Sequence, residues 1–153
     1  RDSKEIPESK RDAVFELIQS IAASVSVVIV PASEVDERGV HAANLDGMRR
    51  AVQGLSVEPA YVLTDGYAIE GLGVPNLAVW KGDQVVVSIS AASVIAKVTR
   101  DRIMRDMDSE FPQYGFAGHK GYITAAHTKA LNEHGPCAQH RTSFANVAAL
   151  IHK

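Results

Sequence analysis

The sequence is poor in cysteine and in long apolar runs and shows no targeting segment, and each absence excludes a class of protein. Cys137 is the only cysteine among 153 residues, so neither an internal disulfide framework nor a cysteine-based zinc site is expected. No apolar run approaches the roughly 18 residues that a membrane helix requires. The first seven residues lack both an initiator methionine and the apolar core of a signal peptide. We therefore expect a cytoplasmic protein that makes no membrane contact.

The chain as a whole has no large excess of charge of either sign, but its two parts differ in charge. The formal net charge is −2, with 16 Lys and Arg against 18 Asp and Glu, which excludes a disordered acidic tail and a wholly basic nucleic-acid sleeve. Residues 1–110 hold 12 basic and 17 acidic residues, whereas residues 111–153 hold four basic residues and only Glu133. Five of the six histidines also lie in the last segment. The asymmetry fits an ordinary solvated surface or a phosphate-facing tail on an acidic core.

The apolar pattern predicts helices and strands in alternation. A length of 153 residues with 46% apolar content fits one globular domain. Strands that alternate with helices indicate an α/β fold with some parallel pairing, in which sites collect beyond the carboxyl ends of strands. Helices are predicted over Pro7–Ala23, Ser33–Asp36, His41–Leu55, Ser88–Glu110, Thr124–His134 and after Ser143, and strands over Val25–Val30, Tyr61–Thr64 and Leu77–Trp80. The first of these strands is predicted to be central and covered on both faces, because it is almost continuously β-branched.

Two aspartates follow short β-rich runs and are the first candidates for chemistry. Asp65 precedes Gly66 at the end of one run, and Asp83 follows Gly82 after the next. Two carboxylates at one sheet edge repel each other unless they share a proton or bind a cation. Oxygen ligands without cysteine or histidine favour Mg²⁺ or Mn²⁺ over zinc. The alternative is that each Asp and Gly pair is simply a turn signal.

Several longer motifs occur in an order that resembles one known family. A run of twelve residues, Ala91–Arg102, is followed by Gly-His-Lys-Gly-Tyr ending at Tyr122. The whole chain resembles ribonuclease HII, the bacterial type 2 ribonuclease H. Further matching stretches are Asp2–Lys4, Met48–Val52, Tyr61–Gly66, Lys81–Asp83, Tyr114–Phe116 and His140–Phe144.

The resemblance implies a fold and an activity. The fold would be an α/β, ribonuclease H-like mixed sheet flanked by helices, with a C-terminal helical extension. Residues 1–112 would be the remainder of the catalytic core, and residues 113–153 would be the loop and helices that contact substrate in the same structural domain. The enzyme would hydrolyse the RNA strand of RNA–DNA hybrids and incise duplex DNA at embedded ribonucleotides, leaving 5′-phosphate ends. Another two-metal nuclease of the same broad fold is the alternative.

The resemblance also assigns roles to individual residues. Asp65 and Asp83 match the third and fourth of four carboxylates that surround two Mg²⁺ or Mn²⁺ ions. Tyr122 matches the tyrosine that stacks beside the ribose and helps to sense its 2′-hydroxyl, although a loop tyrosine can also be a packing residue. Lys4 matches a phosphate-contacting position, and Lys120 and Arg141 are expected to contact the DNA backbone.

The sequence departs from the family pattern at its start. The family's first two carboxylates lie in an Asp-Glu-x-Gly-Arg-Gly motif upstream of Asp-Ser-Lys, and this chain begins at Asp-Ser-Lys. We expect the opening strands to be absent and the chain alone to have little or no nuclease activity. The alternative function is therefore a catalytically incomplete nucleic-acid-binding or structural fragment. An open sheet edge would favour a bound N-terminal fragment or self-association.

The histidines and two further positions complete the predictions. Cys137 and His140 have a zinc-like spacing, but two ligands without a second pair are a weak signal. We interpret the histidines as solvated or phosphate-facing and Asp101 as a structural residue that forms local ion pairs. Gly39 stands where the family has a substrate-contacting asparagine, which weakens that contact. The histidines concerned are His119, His127, His134 and His140.

Overall fold

The computed structural model describes residues 6–151, and the order of its longer helices is the predicted one. The helices are α1 Glu8–Ile21, α2 Ala32–Arg38, α3 Val40–Gln53, α4 Gly82–Val85, α5 Val87–Glu110, α6 Phe116–His119, α7 Ala125–His134 and α8 Ala145–Ile151. The strands are β1 Val62–Asp65 and β2 Asn76–Val79, and Pro112–Tyr114 forms a 3₁₀ turn. The predicted helices are confirmed with shifts of a few residues at their ends. The short helices α4 and α6 were not predicted, because four-residue helices leave no periodic pattern.

The described chain divides into two compact units. The first, which we call the sheet unit, comprises the described residues up to Ile29 together with Asn44–Val98. The second, the histidine unit, comprises Val30–Ala43 and the described residues from Thr99 onward. Helix α5 therefore contributes its first half to one unit and its second half to the other.

The two strands of the sheet unit pair in parallel, as the sequence predicted. Val62 pairs with Asn76, and Asp65 pairs with Val79 at the carboxyl end. The Asn76 side chain closes the connection between the strands, because it accepts a hydrogen bond from Ile69 N and donates one to Ile69 O. Thr64 is buried on the inner face, and its hydroxyl donates to Tyr67 O at 2.5 Å.

The predicted central strand over Val25–Val30 is wrong. This segment belongs to no helix or strand, although Val27 and Ile29 are exposed while Val28 and Val30 are half-buried, as in an extended chain. A β-branched composition favours extended backbone, but a strand also needs a neighbouring backbone to pair with. The residue before the segment is anchored through its side chain, since Ser24 Oγ accepts a hydrogen bond from Ser56 N at 2.9 Å.

The core of the sheet unit lies between α1 and the first half of α5. Phe15 of α1 packs with three buried residues of α5, which confirms the predicted burial of that half of the long helix. Burial of side chains of this size stabilises the fold by roughly 1.5–3 kcal/mol each. The three α5 residues are Val94, Ile95 and Val98.

The histidine unit has a separate core and a clamp between distant segments. Its buried cluster contains Met104, Tyr114, Phe116, Ala130 and Leu131. Helix α7 begins as predicted, with the Thr124 hydroxyl accepting from His127 N, and it ends at Gly135, whose φ of 71° suits glycine. Across residues 6–151, no helix is both long and apolar enough to cross a membrane.

The clamp joins α2 to the turn that precedes α8. Asp36 accepts hydrogen bonds from the backbone N–H and the hydroxyl of both Thr142 and Ser143, at 2.6–2.9 Å. These four bonds, with those of Ser143 strongest, hold the pKa of the Asp36 carboxyl far below its usual range. The carboxylate therefore links segments that are more than 100 residues apart in sequence.

Candidate active-site residues

Asp65 ends the first of the two parallel strands, and Asp83 lies in the short helix α4 that follows the second. Asp65 is the last residue of β1, and its Oδ1 accepts a hydrogen bond from Gly82 N at 2.9 Å. Gly82 is the first residue of α4, and Asp83 follows it directly. The carboxylate of Asp65 therefore contacts the residue directly before Asp83.

The surroundings of Gly82 leave little room for a side chain. A Cβ atom at this position would lie 2.5 Å from Ile89 Cδ1, so the end of that side chain would have to shift, and 3.3 Å from Val79 Cβ, which is an unusually close contact. Lys81 just before it adopts a left-handed conformation with φ 52°, which turns the chain sharply out of β2. The first two residues of the Lys-Gly-Asp motif therefore have a structural role, because the sharp turn at Lys81 and the close packing at Gly82 fix the position of the Asp83 backbone.

The two aspartates offer a partial set of ligands for a hard divalent cation. Asp65 is exposed and Asp83 is half-buried, so carboxylate oxygens remain accessible at the sheet edge. Mg²⁺ is commonly held by one or two carboxylates, with water and substrate phosphate completing its octahedral shell. The described residues contain no group of three or more histidine, cysteine, aspartate or glutamate side chains placed to hold a metal. The donor set fits such an ion only when other ligands join it.

Tyr122 stands on a tightly held turn of the histidine unit. Its N–H donates to His119 O at 2.9 Å, and its carbonyl oxygen lies 3.0 Å from His127 Nδ1. The preceding Lys120 and Gly121 both have positive φ, 51° and 81°. The backbone is fixed on both sides, whereas the side chain is 61% exposed. Tyr122 is therefore not a packing residue.

Two of the three predicted phosphate-contacting cations lie among the described residues, and both are half-buried. Lys120 is half-buried, and its ammonium group donates to Ala117 O within the same short segment. Arg141 is also half-buried, and its guanidinium lies 5.2 Å from the centre of the Phe144 ring. Burial and the nearby Arg100 lower the pKa of Arg141, while Asp36 opposes them. Lys4 lies outside the described residues.

Arg100 was not singled out from the sequence, although it lies within the Ala91–Arg102 motif. Its Nη2 donates to Lys120 O at 3.0 Å, and the same nitrogen lies near Gly121. It therefore supports the turn that carries Tyr122. The motif could have signalled this residue, but helical position alone places Arg100 among ordinary polar residues.

The interpretation of the histidines as solvated or phosphate-facing is wrong for two of them. His127 and His140 are only 5% and 7% exposed, and His119 is half-buried, whereas His134 is exposed. Ring contacts explain the burial, because Phe116 packs within 6 Å of the rings of His119, His127 and His140. Asp101, interpreted as structural, is also buried.

Comparisons with known proteins give the chain a family and a fold. The family model for Ribonuclease HII matches residues 1–147. The Ribonuclease HII of Acidothermus cellulolyticus is 59% identical over 146 residues, which cover 95% of this chain and 48% of that protein. The Ribonuclease HII of Saccharopolyspora erythraea is 56% identical over 148 residues, which cover 97% of this chain and 65% of that protein. The chain thus spans between about half and two thirds of the length of these relatives.

The structural comparison addresses the fold alone. The crystal structure of the ribonuclease H2 from Pyrococcus horikoshii OT3 aligns with a TM-score of 0.81 at 22% identity, over 97% of this chain and 78% of that chain. This similarity confirms the predicted α/β, ribonuclease H-like fold class. Because the family model extends over nearly all of its residues, the chain belongs to the ribonuclease HII family.

Proposed function

We propose that this chain forms part of a type 2 ribonuclease H that hydrolyses the RNA strand of RNA–DNA hybrids. The proposal extends to incision at single ribonucleotides in duplex DNA, with 5′-phosphate products. The observation that carries it is the hydrogen bond from Gly82 N to Asp65 Oδ1, since it joins the end of β1, which bears Asp65, to the residue directly before Asp83. Family membership supplies the substrate class.

Asp65 and Asp83 would hold Mg²⁺ or Mn²⁺ in this function. A bound divalent cation would polarise the scissile phosphate and lower the pKa of a water molecule. The chain's own contribution is to keep the two carboxylates at one edge, because Gly82 N neutralises part of the charge on Asp65 Oδ1 and orients that group. The second oxygen of Asp65 and the carboxylate of Asp83 would remain for the cation.

The histidine unit would supply recognition. An exposed aromatic ring on a rigid backbone can stack beside a sugar, and a 2′-hydroxyl distinguishes RNA from DNA at one position. The ring of Tyr122 is exposed and its backbone is held by hydrogen bonds. Lys120, Arg141 and Lys4 would contact backbone phosphates, which adds affinity and salt dependence without sequence preference.

A second candidate function is binding of such duplexes without cleavage. One observation favours it: among residues 6–151, no cluster of three or more potential metal ligands is present. Two carboxylates alone are expected to hold a divalent cation weakly, because each missing ligand must be replaced by water or phosphate.

Both candidates can be tested on the purified 153-residue protein with two matched duplexes. One duplex carries a single ribonucleotide and the other is all DNA, and binding and cleavage are measured in Mn²⁺. We expect tighter binding of the first duplex and little or no cleavage by the chain alone. Asp65→Asn and Asp83→Asn should weaken Mn²⁺ binding at least about tenfold, as losses of metal-site partners commonly do. Asp106→Asn, at an exposed position of α5, is the control.

The outcomes separate the two functions. Cleavage that leaves a 5′-phosphate and disappears in Asp65→Asn supports the nuclease and contradicts the expected inactivity. Preferential binding without cleavage supports the binding function. Equal binding of the two duplexes with no cleavage overturns both.

A further inference from the structure

A chain of hydrogen bonds runs through two buried histidines to the backbone of Tyr122. Cys137 N lies 3.0 Å from His140 Nδ1, His140 Nε2 lies 3.1 Å from His127 Nε2, and His127 Nδ1 lies 3.0 Å from Tyr122 O. The proposed function uses neither histidine. Buried polar groups with every nitrogen engaged at these distances form a specific arrangement rather than a chance contact.

The backbone groups at the two ends of this series of hydrogen bonds determine which ring nitrogen carries each proton. The backbone N–H of Cys137 can only donate, so His140 Nδ1 accepts and the proton of its neutral ring is on Nε2. That proton is donated to His127 Nε2, which leaves the proton of His127 on Nδ1. From there it is donated to the Tyr122 carbonyl, which can only accept. Each hydrogen bond of the series is therefore donated in the direction from Cys137 to Tyr122, and both rings are neutral.

We propose that His127 and His140 are positioning residues that hold the backbone of Tyr122 and thereby set where its exposed ring meets a ribose. The proposal rests on the proposed function, in which Tyr122 senses the sugar. Its other backbone group is also held, since Tyr122 N donates to His119 O. His119 is itself stacked on His127, with ring centres 4.2 Å apart. The three histidines thus support the turn that carries Tyr122.

Protonation of either ring would disrupt this series of hydrogen bonds. On His140 Nδ1 an added proton would face the N–H of Cys137, and on His127 Nε2 it would face the N–H of His140. Burial is the main cause that lowers the pKa of both rings; the charge of His119 lowers both, and that of His127 further lowers His140. The Tyr122 carbonyl, which accepts from the ring, raises the pKa of His127.

Among residues 6–151, the charges that shift the pKa of either ring are those of other histidines, which disfavour protonation. The titratable groups that contact the pair are His119 on α6, Tyr114 on the 3₁₀ turn and Cys137. From α5 and α8, the same core receives the uncharged Met104 and Leu150. Because the pKa of both rings is lowered, the rings stay neutral at the usual histidine pKa of about 6.5, and the hold on Tyr122 is expected to weaken only at a lower pH.

The proposal is tested by NMR on two variants that remove the same ring. In His127→Asn the side-chain amide can occupy the place of Nδ1 and still donate to the Tyr122 carbonyl. In His127→Gln it reaches the place of Nε2 and contacts His140 instead. We expect the carbonyl ¹³C shift of Tyr122 and the order of its amide to be retained in the Asn variant and lost in the Gln variant. His134→Asn, at an exposed position of the same helix, should leave both unchanged.

The wild-type protein provides a measurement that needs no variant. Long-range ¹H–¹⁵N spectra at pH 8 should show the proton of His127 on Nδ1 and that of His140 on Nε2. On lowering the pH, the Tyr122 carbonyl shift should change together with the titration of these rings. The opposite tautomers, or a Tyr122 shift that is the same in His127→Gln as in the wild type, would overturn the proposal.

Duplex binding separates this proposal from the function on which it rests. The preference for a ribonucleotide-containing duplex over all-DNA should fall several-fold in His127→Gln and persist in His127→Asn, with equal affinity of the variants for all-DNA. If the wild type has no such preference but the NMR results hold, the function fails and the positioning role stands. If the preference exists and both variants keep it, the positioning role fails.

Discussion

The sheet unit and the histidine unit hold their polar side chains in opposite ways. Asp65 is exposed at the end of β1, and a single backbone N–H supports one of its oxygens. His127 and His140 are buried, and all four of their ring nitrogens have partners. The difference teaches that the first arrangement leaves atoms for a ligand, whereas the second uses every polar atom to hold the protein's own backbone.

The apolar residues of the two units differ in the same manner. Leu63 and Leu77 pair across the outer face of the sheet and are 38% and 52% exposed. Phe116 and Leu131 are buried in the core of the histidine unit. We therefore expect substitutions to cost more stability in the histidine unit than on the outer face of the sheet.

The largest effect is expected from Phe116→Ala. Its ring packs against Tyr114 at 5.2 Å and against three histidines, so truncation would leave a cavity beneath the Tyr122 turn. Such a change costs about 3–5 kcal/mol. Chemical denaturation measures it, and a loss below about 1 kcal/mol would show that this core is not the one that stabilises the unit.

A smaller loss is expected when a methyl group is added to Gly82. Gly82→Ala would force the Cβ against Ile89 and Val79, and overpacking of this kind costs about 1–3 kcal/mol. The strand ends should move apart, so Mn²⁺ binding should weaken as well. Gly118→Ala is the matched control, because a Cβ there meets nothing within 4 Å. Equal stability of the two variants would contradict the tight packing.

The Asp36 clamp should make the stability of the histidine unit depend on pH. Because the folded-state pKa of this carboxyl is lowered, its contribution is fully present above its unfolded pKa of about 3.9. It is lost as the pH falls from there toward the folded value. Asp36→Asn should lower the thermal midpoint at pH 7 and remove this part of the acid dependence. Glu37→Gln, at an exposed neighbouring position, should leave both unchanged; acid dependence identical in Asp36→Asn and the wild type would contradict the clamp.

The smallest effect is expected on the outer face of the sheet. Leu63→Thr should change the free energy of unfolding by no more than about 0.5 kcal/mol, as surface substitutions usually do. Removal of this apolar side chain should also reduce any self-association through the outer face, measured by light scattering. A large loss of stability in the dilute protein would mean that Leu63 is covered.

Most elements could be predicted because their patterns are local. Helices α1, α3 and α7 carry apolar residues at helical spacing, and Thr124 and Gly135 bound the last of them. Val25–Val30 could not be predicted in this way, because composition indicates an extended chain but not whether a backbone lies beside it. The placement of Asp65 followed from the rule that parallel strands end at one edge, which the Gly82 contact supports.

The sequence by itself determined the family, the order of the longer helices and the aspartate that ends β1, because motifs and periodicity depend on residues near one another in the chain. The tertiary structure alone decided which histidines are buried and what they hold. His127 and His140 lie 13 positions apart in a charged, histidine-rich tail that looked solvated, and their contact arises when Phe116 packs against both rings. Burial depends on what the rest of the chain places around a side chain, and no local pattern records it.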